Sequence, residues 1–271
     1  MEPVLVVSLL FGLFAATHLG LAHVPIRQAF VQRAGRWGFV WLYSCIAAVS
    51  FGAAVAYAAL HLDEGPSGLA LGRFEVARAL LVTASVLGLT LMAGSLGEYS
   101  RSPYVPRGDA IREPRGLQRV TRHAFFVGLG LLGGAHALLA TKLVGAITMG
   151  ALAAIALVGA HLQDRKLLAL RGEPYASYLA QTSLVPFAAA LEGRTRIVWR
   201  ELPLAGLACG LVLAFVLRAV HAQLFAYAGL FVIVPTVGGA FFLLVSEWRG
   251  ERRHGEAISP ATRGVAPGGR A

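Results

Sequence analysis

Two of the eight histidines stand where a titratable ring is costly. His18 interrupts the apolar run Ala15-Ala16-Thr17-His18-Leu19-Gly20, and His136 lies in a run that also holds Gly128, Gly130, Gly133 and Gly134. An imidazole at membrane depth is a functional-site hypothesis in its own right. Two neutral imidazoles from facing helices are a recurrent way to hold haem iron. The glycines then have two readings: close helix packing, or bare backbone against which a flat macrocycle can lie. The plain alternative for each histidine is a hydrogen bond to a neighbouring carbonyl or hydroxyl, and spacing alone leaves both readings open. His123 precedes His136 by thirteen residues. At about 100° per residue the two face opposite sides of one helix and cannot share an iron. Of the others, His61 and His254 read as solvated, His161 and His221 as interfacial anchors, and His23 as a boundary residue before Pro25.

The elements that must position these rings are membrane helices. The chain is 56% hydrophobic and 14% charged, where a soluble domain carries about 25% charged residues. Its apolar runs approach the ~20 residues that cross ~30 Å of hydrocarbon. Seven spans are expected: 4–22, 39–60, 76–96, 124–140, 143–162, 204–220 and 224–246. The last is interrupted by Pro235 and Gly238-Gly239 and is expected to kink. Arginines collect in alternate connections: Arg27, Arg33 and Arg36; then Arg101, Arg107, Arg112, Arg115, Arg119 and Arg122; then Arg165, Arg171, Arg194, Arg196 and Arg200; then the tail. Asp63 and Glu64 mark the opposite side. This pattern predicts an all-α, polytopic transmembrane helix bundle with the N-terminus outside and the C-terminus cytoplasmic. The net charge of +10 then reflects orientation and contact with the lipid bilayer's anionic head groups, with no nucleic acid partner. Counted from Ile26, His18 lies about 12 Å deep, and counted from His123, His136 lies about 20 Å deep. One haem shared by both therefore requires tilt or an offset boundary.

The first 22 residues read as a spanning helix, since no basic n-region precedes them. Cys45 and Cys209 sit singly in apolar runs and read as buried small hydrophobes. A transmembrane domain over 1–250 is expected, with a disordered basic tail over 251–271. Within the domain, 163–182 reads as an interfacial helical segment. Gly172 stops one helix and Pro174 suits the first turn of the next, with Tyr175, Tyr178 and Leu179 on one face. Such a helix either lies on the inner leaflet or closes over a site at the inner mouth of the bundle. No Ser-His-Asp, P-loop or His-Glu-x-x-His arrangement is present.

Three blocks in order carry a resemblance to the NnrU family. They are His18 with Arg33-Ala34-Gly35 and Trp41-Leu42-Tyr43-Ser44; Arg119-Val120-Thr121-Arg122-His123 with its glycine-rich sequel and Ala135-His136; and Gly172-Glu173-Pro174-Tyr175-Ala176-Ser177-Tyr178 with Pro186-Phe187. The resemblance covers about residues 5–235. It implies an integral protein of the bacterial inner membrane with haem b held by His18 and His136. It also implies either redox-gated cis–trans isomerisation of a carotenoid or other hydrophobic isoprenoid polyene, or a role supporting denitrification with a redox partner it does not identify. Ala124 stands where the isomerases of this family carry proline after the histidine equivalent to His123. A weaker resemblance, through Arg122-His123 and the Tyr175/Tyr178 segment, is to isoprenylcysteine and phospholipid methyltransferases. It implies S-adenosylmethionine beside Arg122 and His123. A third reading is a non-enzymatic membrane assembly or interaction protein whose histidines only pack and hydrogen-bond.

Overall fold

The long apolar runs fold as helices because a backbone in hydrocarbon must satisfy its own N–H and C=O groups. The computed structural model describes residues 1–98, 103 and 111–258. Its helices are α1 (Glu2–Leu21), α2 (Val24–Leu60), α3 (Glu75–Glu98), α4 (Ala124–Leu139), α5 (Leu143–Arg171), α6 (Glu173–Gln181), α7 (Ala188–Leu191), α8 (Leu204–Ala219) and α9 (Ala226–Ile258). Five are long and apolar enough to cross a membrane: α1, α2, α3, α5 and the 226–246 part of α9. Helices α4 and α8 are as apolar but have 16 residues each, a rise of about 24 Å. The chain is an all-α, multi-spanning bundle.

The long helices pack in the order α9–α2–α1–α5–α4–α3–α8. The acidic loop defines one end. A Cβ on Gly65 would lie 3.2 Å from Val4 Cγ2 and 3.8 Å from Val144 Cγ2. The amides of Gly68 and Ala70 donate to the carbonyls of Thr141 and Ala140 at 2.9 and 3.1 Å, sealing this loop over the α4–α5 turn. The other end is basic, with Arg122, Arg165, Arg171, Arg194 and Arg200 around the start of α4 and the end of α5.

The glycines of α4 serve helix packing. A Cβ on Gly128 would sit 2.5 Å from the Gly88 carbonyl oxygen of α3, and one on Gly133 2.7 Å from the Met149 carbonyl oxygen of α5. Gly130 meets Leu157 in the same way. Small residues permit this approach where lipid supplies no hydrophobic drive between helices. Only Gly134 of the four faces open space.

Three boundaries differ from the sequence reading. The chain turns at Ala22-His23 and re-enters helix at Val24, so Arg27 and Arg33 lie on α2, not in a loop before it. A break at Gly35 (φ 73°, ψ 167°) separates this basic leader from the apolar span. In α9 the non-helical residues are Tyr227, Ala228 and Gly229, whereas Pro235 stays within the helix. The backbone of α9 continues to Ile258. The remainder of the expected tail, together with Arg101 and Arg107, lies outside the described residues.

Candidate functional site

At the basic end, Asp164 of α5 gathers four polar contacts from three residues. His123, which caps the start of α4, donates from Nε2 to Asp164 Oδ1 at 2.6 Å. The Tyr175 hydroxyl of α6 donates to the same oxygen at 2.7 Å. Arg122 grips Oδ2 through Nε at 2.8 Å and Nη2 at 2.7 Å, a two-pronged charge-assisted pairing. Burial is deep: Tyr175 is 0%, His123 1% and Asp164 6% exposed. With Arg122 compensating its charge and donors on both oxygens, the carboxylate satisfies the conditions under which a buried ion persists.

The segment before α4 is tied down by its own backbone. Thr121 donates to the Leu184 carbonyl at 2.7 Å, the Arg122 amide to Ser183 at 2.9 Å, and the Phe187 amide returns to Val120 at 2.8 Å. Arg194 closes the far side on the Ala180 and Thr182 carbonyls at 2.9 and 2.8 Å. Gly172, at φ 59° and ψ −134°, makes the reversal between α5 and α6 in a region closed to most side chains. Helix α6 is therefore packed inward over the ends of α4 and α5, with Tyr175 and Tyr178 stacked at 5.6 Å. Its tyrosine face is covered by protein. Burial raises the hydroxyl pKa of both tyrosines, and both stay protonated. The Tyr178 hydroxyl is the single buried side-chain polar atom without a hydrogen-bond partner among the described residues.

His18 and His136 are not brought together. His18 is three residues from the end of α1, about 4.5 Å along the axis. At that level Leu19 and Phe126 both approach Gly159, within 3.7 and 3.9 Å of a Cβ placed there. His136 is ten residues beyond Phe126 along α4, about 15 Å toward the acidic end. The Tyr43 hydroxyl lies 3.0 Å from His18 Nδ1 and 3.2 Å from Nε2, covering the edge that carries both nitrogens. Phe14 packs on the same ring at 5.1 Å.

His136 is held differently. Its Nδ1 is 2.8 Å from the Leu132 carbonyl and 3.3 Å from Ser85 Oγ. Ser85 already donates to the Leu81 carbonyl at 2.9 Å, so both neighbours of Nδ1 are acceptors. The proton belongs on Nδ1 and the lone pair on Nε2. A metal-binding histidine shows the same arrangement, donating its other N–H to a backbone carbonyl. Among the described residues no group of three or more His, Cys, Asp or Glu side chains could hold a metal ion. The feature that fits haem is thus the poised Nε2 of His136, and the pair His18 and His136 does not fit one iron in this arrangement.

Asp164 and Ser85 were not singled out by sequence, and Tyr43 only as a member of the Trp41-Leu42-Tyr43-Ser44 block. Asp164 is one acidic residue in a charged segment, and its role exists only once Arg122 and His123 are folded against it. Tyr43 and Ser85 are single polar groups in apolar helices, a signal that marks partners without saying whose. The residues that the methyltransferase resemblance places beside S-adenosylmethionine, Arg122 and His123, both engage Asp164.

No solved structure matches the chain. It is similar to a 15-cis-zeta-carotene isomerase, chloroplastic, from Arabidopsis thaliana, with 27% identity over 193 residues. The match covers 71% of this chain and 52% of the relative, so the chain spans about half of that protein's length. A family model described as NnrU protein matches residues 5–228, most of the chain and every residue of the geometry above, and the chain belongs to the NnrU family.

Proposed function

We propose that this NnrU-family membrane protein binds haem b through His136 and uses it in redox-gated cis–trans isomerisation of a carotenoid or other isoprenoid polyene. The observation that carries the reading is the His136 ring, whose Nδ1–H is fixed on Leu132 and Ser85 so that Nε2 presents its lone pair. The similarity to a carotene isomerase supports the substrate class. When bound, haem would supply an iron able to take electron density from a polyene and so ease rotation about a double bond. The chain's own contribution is orientation and exclusion of water. Leu132 sets the imidazole tautomer, and the glycine contacts bring α3, α4 and α5 together around it. The bilayer-facing apolar surface of the bundle suits a lipid-like substrate. Alternate basic connections support seven crossings with the basic end cytoplasmic in a bacterial inner membrane. A supporting role in denitrification would use the same haem for electron transfer and leave the site description unchanged.

The test is an absorbance spectrum of detergent-purified protein, oxidised and reduced, for wild type and His136→Ala. A Soret band in wild type that His136→Ala abolishes or shifts is expected. A wild-type protein without such a band, even after reconstitution with haem, refutes the proposal.

A further inference from the structure

Residues 24–34 of α2 form a leader that folds back on the span following it. In an unbroken helix Arg27 and Phe39 would stand about 18 Å apart, and Phe30 and Phe39 about 13 Å. The Arg27 guanidinium instead lies 5.7 Å from the centre of the Phe39 ring, and the Phe30 ring 6.3 Å from it. The break at Gly35 makes this possible, since φ 73° with ψ 167° is backbone open to glycine. Arg27 is thereby set half-buried at the basic end, where α1, α2 and α5 meet. Lys166 of α5 is half-buried there too, and the two positive charges act on one another. Among the described residues neither side chain donates a hydrogen bond or pairs with a carboxylate. The three helices have no acid to spare. Helix α2 contains none, and α1 has only Glu2 at its far end. Asp164, the single carboxylate of α5, is taken by Arg122, His123 and Tyr175.

We infer that Arg27 and Lys166 hold the phosphate of an anionic phospholipid in the leaflet at the basic end, with its acyl chains along the leader. Half-buried like charges repel and lack the water that would screen them, so an anion beside them lowers their energy. A guanidinium and an ammonium offer charge-assisted donors to phosphate oxygens. Two features of the leader favour a lipid over a soluble phosphate. Ile26 and Phe30 lie one helical turn apart on it, 41% and 37% exposed, and they flank Arg27 in sequence. An apolar face beside a cation pair matches a molecule with a charged head and an apolar tail. The headgroup must be net negative, because a choline would bring a third cation to Arg27 and Lys166.

The experiment uses the full chain in neutral detergent, stripped of lipid, and follows its melting temperature as ligand is added. Phosphatidylglycerol is expected to raise it saturably. Phosphatidylcholine with the same acyl chains should do far less, and inorganic phosphate at the same concentration nothing. Arg27→Gln and Lys166→Gln are each expected to weaken the phosphatidylglycerol affinity about fivefold. Lys166→Arg and the exposed Arg33→Gln should keep it. Removing one of two like charges relieves their repulsion. Lys166→Gln should therefore melt, without lipid, at or above the wild-type temperature, which separates loss of binding from loss of fold. Equal effects of the two lipids, or a loss in Arg33→Gln as large as in Arg27→Gln, would reduce the effect to general surface attraction and overturn the site. A shift with inorganic phosphate matching that with phosphatidylglycerol overturns the lipid assignment in favour of a soluble anion.

Discussion

Removing the Asp164 carboxylate should release α6 from the basic end of the bundle. Asp164→Ala takes the shared carboxylate away from Arg122, His123 and Tyr175, inside a site where Tyr175 and His123 are 0% and 1% exposed. Breaking a buried ion pair by deleting one partner costs about 3–5 kcal/mol, because the remaining charge is left uncompensated. The loss falls mainly on the docking of α6, which Tyr175 and the Arg122 contact to the Thr182 carbonyl fasten together with Arg194. Hydrogen exchange of the α6 amides reads that opening directly. At 1.36 kcal/mol per factor of ten, α6 exchange should accelerate by roughly 10²- to 10⁴-fold, while α3 amides remain protected. Tyr175→Phe removes one hydrogen bond to a charged acceptor, about 1.5–3 kcal/mol, and should fall between wild type and Asp164→Ala. Exchange of α6 within about threefold of wild type in Asp164→Ala would refute the view that this carboxylate holds the helix.

Three further outcomes follow from individual contacts. Gly88→Ala would drive a Cβ to 2.5 Å from the Gly128 carbonyl oxygen. Overpacking there should cost about 1–3 kcal/mol, measured as a lowered melting temperature in detergent, with Gly134→Ala as the near-neutral comparison. Tyr43→Phe removes the hydroxyl over the His18 ring. It should destabilise by about 1 kcal/mol, read as a lowered melting temperature in detergent. The Glu201 carboxyl is held below its usual range, first by the Gly116 amide and then by Arg119 and Arg115, against the opposing effect of burial. Its contribution is therefore present above the ordinary glutamate range (about 4.3) and fades as pH falls through the lower folded value. Protection of the 116–119 amides, taken relative to the unstructured exchange rate at each pH, should fall on acidification there, and Glu201→Gln should abolish that fall.

What was legible in the sequence was whatever is local and one-dimensional. The helices of the bundle follow from apolar run length, the stop at Gly172 from a residue that tolerates positive φ, and the unusual position of His136 from a polar ring in an apolar helix. The depth of His18 was counted from Ile26, but Ile26, Arg27 and Arg33 ride on α2, which starts at Val24. Measured from the end of its own helix at Leu21, His18 lies within one turn. The 6.0 Å approach of the His221 ring to the His136 ring depends on two helix registers combined, α8 on α3 and α3 on α4, across 85 residues of sequence. No periodicity within one element carries that information. The glycines of α4 were legible as special but not as to which helix each would admit, because the partners Gly88 and Met149 lie on different elements.

The two polar clusters have opposite chemistry, and this separates their roles. Asp164 has donors on both oxygens and a guanidinium to balance its charge, so it has no spare valence to offer a ligand. Its cluster fastens elements. His136 has one nitrogen committed and one presented, which is the state of a group waiting for a partner. The two sites also lie at opposite ends of the bundle, so each can be disturbed alone. Asp164→Ala should loosen α6 yet leave any Soret band of the reconstituted protein in place. His136→Ala should remove or shift that band and leave α6 exchange within about threefold of wild type. A Soret band lost in Asp164→Ala with α6 still protected would mean that the carboxylate acts on the haem, and the division of roles argued here would fail.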